Sequence, residues 1–239
     1  MSSPAEWPGE RRRRPPRSSP TYAVRAPLAA WLRAEAEAAA RRHPGGYRVL
    51  DVGCGVKPYY PFFADTASEY VGVDSAGDAA ADLEGNAERL PVGDAGYDLV
   101  LCTQVLEHSA DPARAVRELR RVVAPGGRVL ASTHGVQAYH PAPLDLWRWT
   151  HAGLERLFRE NGDWTSVVVT PGSGTTACVG MLVSIYVDLL ARRTRAAPLG
   201  RAVVAAINAA AEAVDRRSRS LRDPRPGAIF ANYHVTAVP

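Results

Sequence analysis

The hydrophobic pattern of the chain alternates short apolar runs with longer amphipathic stretches. Apolar runs at 48–52, 70–73, 97–102 and 128–132 predict buried parallel strands, because strands covered on both faces have few polar positions. Between the last two, Pro112 to Val123 carries apolar residues on one helical face and charges on the other. Strands that alternate with such helices predict a parallel sheet of the α/β class.

Two further amphipathic segments predict helices beside this sheet. Pro27 to Arg42 has apolar residues at helical spacing, and Pro27 is expected at the helix start, where a missing N–H costs nothing. Thr150 is expected to cap a second helix over His151 to Asn161, whose leucines and phenylalanine would face the sheet. Helices are therefore expected both before the first strand and after the last parallel one.

The C-terminal third has an unusual insertion. Apolar runs at 167–170 and 229–238 predict a closing antiparallel strand pair, and residues 175–221 between them predict a helical hairpin. The uncharged part of its first helix is expected to be too short to span a bilayer. The hairpin is expected to keep exposed apolar surface after its two helices pack together, and such surface usually marks an interaction site. A homodimer contact is the first interpretation, lining of an acceptor pocket the second, and peripheral membrane contact the third.

Composition fits one domain of 239 residues, with 46% hydrophobic and 23% charged positions. The formal net charge of the chain is +4. Residues 1–20 contain five arginines and two glutamates, so this segment alone contributes +3. This Pro- and Ser-rich segment predicts a disordered tail over residues 1–20. Residues 21–239 are expected to form one domain. An arginine run can also bind nucleic acid or anionic lipid, but a solvated tail is the preferred interpretation and no nucleic-acid partner is expected.

Cysteine usage and the absence of a recognisable leader both favour a cytoplasmic location. The three cysteines lie far apart in the sequence and form no C-x-x-C pair, so neither a disulfide framework nor a zinc site is predicted. No apolar segment follows the arginine run that would make a secretory signal.

The first strand runs directly into a glycine turn. Asp51, Gly53 and Gly55 follow one another within five residues, and glycines there allow a sharp turn and close approach of a ligand. A dinucleotide fingerprint would place a third glycine at position 58, where this chain has Pro58. A second strand ends at Asp74, whose carboxylate could accept both hydroxyls of a ribose.

These motifs together resemble the class I S-adenosylmethionine-dependent methyltransferases that act on small molecules. The matching segments are LDVGCG, GVD, LP, YDLV, VLEH and PGG, in order, between Tyr47 and His134. The resemblance implies a Rossmann-like, doubly wound, mostly parallel sheet and S-adenosyl-L-methionine as cofactor. Asn86 stands where the family usually has an aspartate facing the adenine amino group, and its amide oxygen could accept the same hydrogen bond. The cofactor-binding residues implied are Asp51, Gly53, Cys54, Gly55, Asp74, Asn86, Ala87, Thr103 and His108.

The segment from Ser132 to Thr150 carries the candidate catalytic residues. It follows a central strand, on the side of the sheet where open α/β folds bind ligands. His134 and His140 are candidate bases for deprotonating a hydroxyl acceptor, and Asp145 could orient one of them. The spacing of these three residues fits no metal-ligand motif, so no metal is predicted. Arg148 in the segment WRWT closes the acceptor pocket or acts as a structural latch, and both interpretations stay open.

The predicted function is methyl transfer from S-adenosylmethionine to a small-molecule acceptor, with a hydroxyl oxygen preferred because of the two histidines. A nicotinamide reductase of the same outline is disfavoured by Pro58 and Asn86. The non-enzymatic alternative is a methyltransferase-like scaffold that binds partners through the 175–221 hairpin.

Overall fold

The computed structural model describes residues 7–75, 80–141 and 144–239. A seven-stranded sheet forms its centre, in the order β3-β2-β1-β4-β5-β7-β6. The strands are β1 (Arg48–Val52), β2 (Glu69–Asp74), β3 (Leu83–Glu84), β4 (Tyr97–Thr103), β5 (Val123–His134), β6 (Ser166–Pro171) and β7 (Asn232–Val238). The helices are α1 (Glu10–Arg13), α2 (Tyr22–Arg42), α3 (Pro112–Val122), α4 (His151–Glu160), α5 (Thr175–Arg193) and α6 (Ala197–Arg217).

The sheet topology confirms the predicted fold class. Strand β1 pairs in parallel with β2 on one side and β4 on the other. Strand β7 runs antiparallel to both β5 and β6, which is the predicted C-terminal antiparallel pair. Because the strand order reverses beside β1, the carboxyl ends of β1 and β4 flank the crevice where such sheets hold their ligands.

Two apolar layers cover the two faces of the sheet. On one face, Leu119 of α3 and Phe158 of α4 belong to a buried cluster with β1, β4 and β5. On the other, Leu28 and Leu32 of α2 pack with Tyr47 and neighbouring aromatic side chains. Helices on both faces explain why the central strands are nearly free of polar side chains.

Helix α2 begins earlier than the sequence predicts. It starts at Tyr22, so Pro27 lies inside the helix rather than at its first position. Proline there removes one backbone hydrogen bond. The buried side chains of Ala23 and Val24 pack with Cys178 and Met181 of α5, and this tertiary contact explains why the helix extends past the proline.

Residues 7–20 differ from the disordered tail predicted over 1–20, of which residues 1–6 lie outside the described residues. The guanidinium of Arg13 donates hydrogen bonds of 2.7 Å to the backbone oxygens of Trp7, Pro8 and Pro58. The Trp7 indole N–H donates to the backbone oxygen of Lys57 at 2.9 Å. Buried arginine is stable where its donors are satisfied in this way, so the basic composition encodes an anchor as well as a charged surface.

The predicted hairpin is confirmed as α5 packed against α6. Asp215 of α6 is buried, and its carboxylate accepts from the backbone N–H groups of Thr176 and Ala177 at 3.1 and 2.9 Å. The carboxylate thereby caps the first turn of α5, because the N-cap residue Gly174 has no side chain that could accept these hydrogen bonds. The buried Asn208 donates to the backbone oxygens of Arg17 and Ser19, so the hairpin also fixes the N-terminal segment.

Both hairpin helices are long and apolar enough to cross a membrane when judged by length and composition. Their most apolar windows have mean hydropathies of 1.4 for α5 and 1.2 for α6. The prediction concerned the uncharged part of α5 before Asp188, residues 175–187, which is shorter than the ~20 residues that a bilayer span needs. The apolar window of α5 extends past this part and includes Asp188. Within the fold, however, polar Ser184, Asn208 and Asp215 are buried in the protein.

Candidate active site

A cavity of about 1250 Å³ lies at the carboxyl ends of β1, β2 and β4. Gly53 and Gly55 form its floor beside Asp74, and Thr103 stands at the end of β4. The N-terminal segment, α2 and the helical hairpin supply the remaining walls. One space therefore holds the glycine turn and the histidines that the sequence predicts to be functional.

The glycine turn after β1 has no room for side chains. Gly53 has φ +67°, and a Cβ atom there would lie 2.3 Å from Cγ2 of Val105. Gly55 has φ +50°, also in the left-handed region that favours glycine. The backbone of this turn is thus exposed to the cavity at a point where larger residues would fill the space.

Asp74 at the end of β2 joins this turn. Its Oδ2 atom accepts from the backbone N–H of Gly55 at 2.7 Å, and Oδ1 accepts from the N–H of Ser75 at 2.7 Å. A carboxylate has about four acceptor positions, so lone pairs remain for ligand hydroxyls. The side chain is half-buried on the cavity wall, in the position expected for a ribose-binding carboxylate.

The other predicted cofactor residues fall into three groups. Thr103 and His108 line the cavity together with Gly53, Gly55 and Asp74. Buried beneath or beside it, without reaching its wall, are Asp51, Cys54 and Ala87. Asn86 lines a separate cavity of about 670 Å³ with Arg89 and Arg121, and its side-chain oxygen accepts from the N–H of Glu88.

Asp51 supports the glycine turn from below. Its Oδ2 accepts a 2.7 Å hydrogen bond from the hydroxyl of Tyr70. Burial raises the pKa of Asp51 to about 7, against the opposing effect of that hydrogen bond. Sequence analysis did not identify a second support, the buried Lys57, whose Nζ lies 2.5 Å from Asp82 Oδ2. A positive φ of 49° at Lys57 shows that the turn continues past the glycines.

Three histidines meet on the opposite wall of the cavity. The ring of His140 lies 5.1 Å from that of His134 and 5.2 Å from that of His108, centroid to centroid. All three line the cavity, and Nδ1 of His108 contacts the backbone oxygen of Leu144. Among the described residues no group of three or more histidine, cysteine or carboxylate side chains is arranged to hold a metal ion.

The partner of His134 is a residue that sequence analysis did not select. Oε1 of the fully buried Glu107 lies 3.2 Å from Nε2 of His134. Its other oxygen accepts from the hydroxyl of Thr133 at 2.8 Å. Burial raises the pKa of Glu107 to about 7 and, aided by His140 and Arg148, lowers the pKa of His134 to about 3. The VLEH motif contained the signal, since Glu107 directly precedes the selected His108.

Asp145 lies near His140 but interacts more closely with Arg148. Its two oxygens accept from the Arg148 guanidinium at 2.5 and 2.7 Å and from the backbone N–H of His140 at 3.0 Å. The hydrogen bond from Arg148 holds the pKa of Asp145 well below its usual range. Its Oδ2 lies 3.6 Å from Nδ1 of His140. The predicted orienting contact is thus to His140, and Glu107 takes the corresponding place beside His134.

The hydrogen bonds of the WRWT segment, residues 147–150, favour the interpretation as a structural latch. Trp147 donates from its indole to the backbone oxygen of Ser109 at 2.7 Å, and its backbone N–H donates to the oxygen of Glu107. Arg148 also donates to the backbone oxygens of Gln137 and Ala138. Because its guanidinium is already paired with Asp145, Arg148 has little remaining capacity to bind an acceptor.

The comparisons with known proteins match the segment that forms this floor. Residues 50–131 match a family model described as a methyltransferase domain. This segment is therefore similar to methyltransferase domains. The methyltransferase segment covers β1 to β5 and therefore contains the glycine turn, Asp74 and Glu107.

Curated relatives with methyltransferase names are similar to part of the chain. An uncharacterized methyltransferase of Mycobacterium sp. (strain JLS) is 38% identical over 106 residues, covering 40% of this chain and 42% of that protein. The ubiquinone biosynthesis O-methyltransferase of Sodalis glossinidius is 34% identical over 106 residues, covering 37% and 41%. The chain thus spans about two fifths of the length of the curated relatives it matches.

Solved structures share the fold at low sequence identity. A protein described as a methyltransferase from an antibiotic biosynthesis pathway of Anabaena variabilis has a TM-score of 0.53 and 16% identity, covering 86% of this chain and 97% of that one. The cyclase SpnF has a TM-score of 0.51 and 21% identity, covering 86% and 80%. These likenesses establish the fold, which carries more than one chemistry.

The methyltransferase cofactor fits the cavity floor. S-adenosylmethionine is the cofactor of this family, and the floor offers an open backbone turn at Gly53 and Gly55 with a carboxylate at Asp74. A side chain at position 53 would collide with Val105, so the space beside the turn is kept free. When bound, the cofactor supplies an electrophilic methyl group on a sulfonium.

Proposed function

We propose that this protein transfers the methyl group of S-adenosylmethionine to a hydroxyl oxygen of a small molecule held in the cavity. The observation that carries the proposal is the presence of the Gly53–Gly55 turn, Asp74 and the histidine cluster around one cavity. Gly53 and Gly55 would receive the methionine end of the cofactor, and Asp74 would accept from its ribose hydroxyls.

The protein's main task in such a transfer is alignment. In-line displacement requires the acceptor oxygen and the methyl carbon to be held in near-attack geometry. An uncharged hydroxyl also has to lose its proton. The walls opposite Gly53 provide both functions, because they carry imidazole side chains next to aromatic and apolar ones such as Tyr139 and Ile185.

His140 is the better candidate for the base. The pKa of His134, lowered to about 3 by burial, makes that imidazole a weak proton acceptor. His140 is more exposed to the cavity, with 41% of its side chain accessible, and Oδ2 of Asp145 lies 3.6 Å from its Nδ1. His134 then forms a neutral wall of the acceptor pocket, supported by Glu107.

Similarity to an O-methyltransferase supports the choice of oxygen. The Sodalis glossinidius relative named as a ubiquinone biosynthesis O-methyltransferase is 34% identical over 106 residues. The acceptor-binding region from His140 onwards lies beyond the matched family segment, which ends at residue 131. The acceptor is therefore set by parts of the chain that are not shared with the family model.

Location and assembly are further parts of the proposal. Cys54, Cys102 and Cys178 are buried and form no disulfide among the described residues, which suits a reducing cytoplasm. A homodimer through the 175–221 hairpin remains a prediction based on its exposed apolar side chains, among them Leu182 and Tyr186. Light scattering after size exclusion measures the mass directly: a monomeric mass at micromolar concentration would exclude the dimer.

Cofactor binding tests the first half of the proposal. Calorimetric titration with S-adenosylhomocysteine should give micromolar affinity for the wild-type protein. Asp74→Ala removes hydrogen bonds to a charged acceptor and should weaken binding at least about 100-fold. Asp163→Ala, at an exposed carboxylate outside the cavity lining, is the matched control and should bind normally. Absence of binding by the folded wild-type protein would contradict the proposal.

Turnover tests the second half. With labelled S-adenosylmethionine and a panel of phenols and hydroxy acids, His140→Gln should lower kcat about 100-fold or more with little change in KM, the effect expected for a lost general base. His134→Gln should change KM more than kcat. Undiminished kcat in His140→Gln would remove His140 from the proton transfer.

A further inference from the structure

The cavity has a strongly basic outer wall. Five arginines reach it from the N-terminal segment, α2 and the hairpin, and the only carboxylates among its described lining residues belong to Asp74 and Asp188. The arginines are Arg11, Arg12, Arg25, Arg192 and Arg201. The cavity lining as a whole thus carries a surplus of three positive charges over carboxylates.

Most of this charge has no carboxylate partner in the part of the chain that the structure describes. Arg192 pairs with Asp188, with 2.8 Å between Nε and Oδ2. Across residues 7–75, 80–141 and 144–239, the other four arginines have no carboxylate oxygen within 4.0 Å. This contrasts with Arg17 and Arg216 just outside the cavity, which both pair with Glu212.

Arg25 is the most constrained member of the group. It projects from α2 at an intermediate depth, and no hydrogen bond of its guanidinium is found within the described residues. Burial, together with the positive charge of Arg12, lowers the pKa of Arg25 from its ordinary value. Partly desolvated like charges are costly unless an anion joins them, so the site is arranged for a negative ligand.

The cofactor by itself does not balance this charge. S-adenosylmethionine carries one carboxylate against an ammonium and a sulfonium, so its binding adds positive charge to the cavity. Arg12 lies near enough to Asp51 to lower its pKa, which places it towards the methionine end. Arg192 and Arg201 belong instead to the hairpin, the wall available to the acceptor.

We propose that Arg25, Arg192 and Arg201 bind a phosphate or carboxylate group of the methyl acceptor, an assignment that rests on the proposed methyl transfer. Arginine is suited to this role because its planar fork donates two parallel hydrogen bonds to such oxyanions. Apolar neighbours on the same wall, Val24, Leu28 and Ile185, would contact the remainder of the molecule. The acceptor class is thus an amphipathic anion that also carries a hydroxyl.

The test uses inorganic pyrophosphate as the probe. It is titrated calorimetrically into the full-length protein, once saturated with S-adenosylhomocysteine and once without it. Arg25→Gln and Arg201→Gln should each weaken pyrophosphate binding at least about tenfold, the usual effect of losing a charge-assisted hydrogen bond. Arg41→Gln on α2 and Arg193→Gln on the hairpin, both exposed and outside the cavity lining, should bind as the wild type does.

Vesicles distinguish the two sources of such an anion. Cosedimentation with phosphatidylglycerol vesicles, but not with phosphatidylcholine vesicles, that is lost in Arg201→Gln and kept in Arg193→Gln would place the anion on a lipid headgroup. Pyrophosphate binding without vesicle binding would indicate a soluble acceptor. Either result supports the anion site.

Two results would overturn the anion site. One is no pyrophosphate binding in either titration, and the other is equal binding by the wild type, Arg25→Gln and Arg201→Gln. Failure of the proposed methyl transfer is a separate result, because it appears as absent S-adenosylhomocysteine binding while the titration without that ligand still reports on the arginines.

Discussion

Glu107 and His134 form a buried acid and base pair, with Oε1 and Nε2 3.2 Å apart. Burial moves their pKa values in opposite directions, to about 7 for Glu107 and about 3 for His134. Both side chains therefore favour their uncharged forms inside the protein. The pair supports the wall of the cavity without placing a fixed charge beside the acceptor.

Replacing Glu107 with glutamine should change how stability depends on pH. Between about pH 4.5 and 7 the folded protein keeps a proton on Glu107 that the unfolded chain releases. The folded state binds more protons, so the contribution of this group to stability falls as pH rises through that window. The free energy of unfolding of Glu107→Gln relative to wild type should therefore increase from pH 5 to pH 8, by up to roughly 3 kcal/mol.

Urea unfolding at the two pH values measures this difference. The exposed Glu160→Gln, whose residue forms only a surface pair with Arg156, is the control and should show a constant offset from wild type. A pH-independent offset for Glu107→Gln would show that Glu107 is ionised in the folded protein throughout.

Gly53→Ala should damage both stability and cofactor binding. The added Cβ would lie 2.3 Å from Val105 Cγ2 at a positive φ, and such strain costs about 1 kcal/mol or more. Gly45→Ala is the matched control because no atom lies within 4 Å of a Cβ built there. Thermal unfolding and S-adenosylhomocysteine titration measure the two effects. The double variant Gly53→Ala, Val105→Ala should recover part of the lost stability, because it removes the collision with the valine side chain. If no stability is recovered, the loss comes from the positive φ alone.

Arg13→Ala should release the N-terminal segment. The three carbonyl oxygens held by this guanidinium at 2.7 Å lose their donor, and each buried unsatisfied group costs about 1–3 kcal/mol. Trypsin should then cleave after Arg11 and Arg12 faster than in the wild type. The exposed Arg14→Ala removes no trypsin site, because Pro15 follows Arg14, and it should leave the segment protected. Equal cleavage rates in both variants would contradict the anchoring role.

Asp215→Ala should destabilise the hairpin. Its carboxylate accepts hydrogen bonds from the backbone N–H groups of Thr176 and Ala177. These bonds are comparable to those of a helix N-cap, which contributes about 0.5–2 kcal/mol to stability. Asp215→Asn keeps one acceptor oxygen and should be intermediate. Hydrogen exchange at the start of α5 reports the effect locally, and unchanged protection in Asp215→Ala would show that another group caps the helix.

Local sequence was sufficient to predict the cofactor half of the site. Gly53, Gly55 and Asp74 come directly after strands, and the strands are encoded by continuous apolar runs. Parallel strands place their carboxyl ends at one edge, so residues 19 to 21 positions apart meet there without further information. The match over residues 50–131 covers the same segment.

Contacts between distant segments decided the rest. The tail was predicted to be disordered because its composition is rich in proline, serine and arginine. Arg13, however, is buried and donates a hydrogen bond to the backbone oxygen of Pro58, which lies 45 positions further along the chain. Pro27 was expected to begin a helix, but packing of Val24 against the hairpin extended that helix. Composition and periodicity describe local preference, and neither records which distant groups satisfy a buried donor.

The sequence by itself determined the sheet, the glycine turn and the position of Asp74 at a strand end, because each depends on residues that are neighbours along the chain or at strand ends. Only the tertiary structure paired Glu107 with His134 and brought Arg25 and Arg201 to one cavity wall. These groups are up to 176 positions apart, and their ionisation and charge depend on burial and proximity, which the folded protein alone creates.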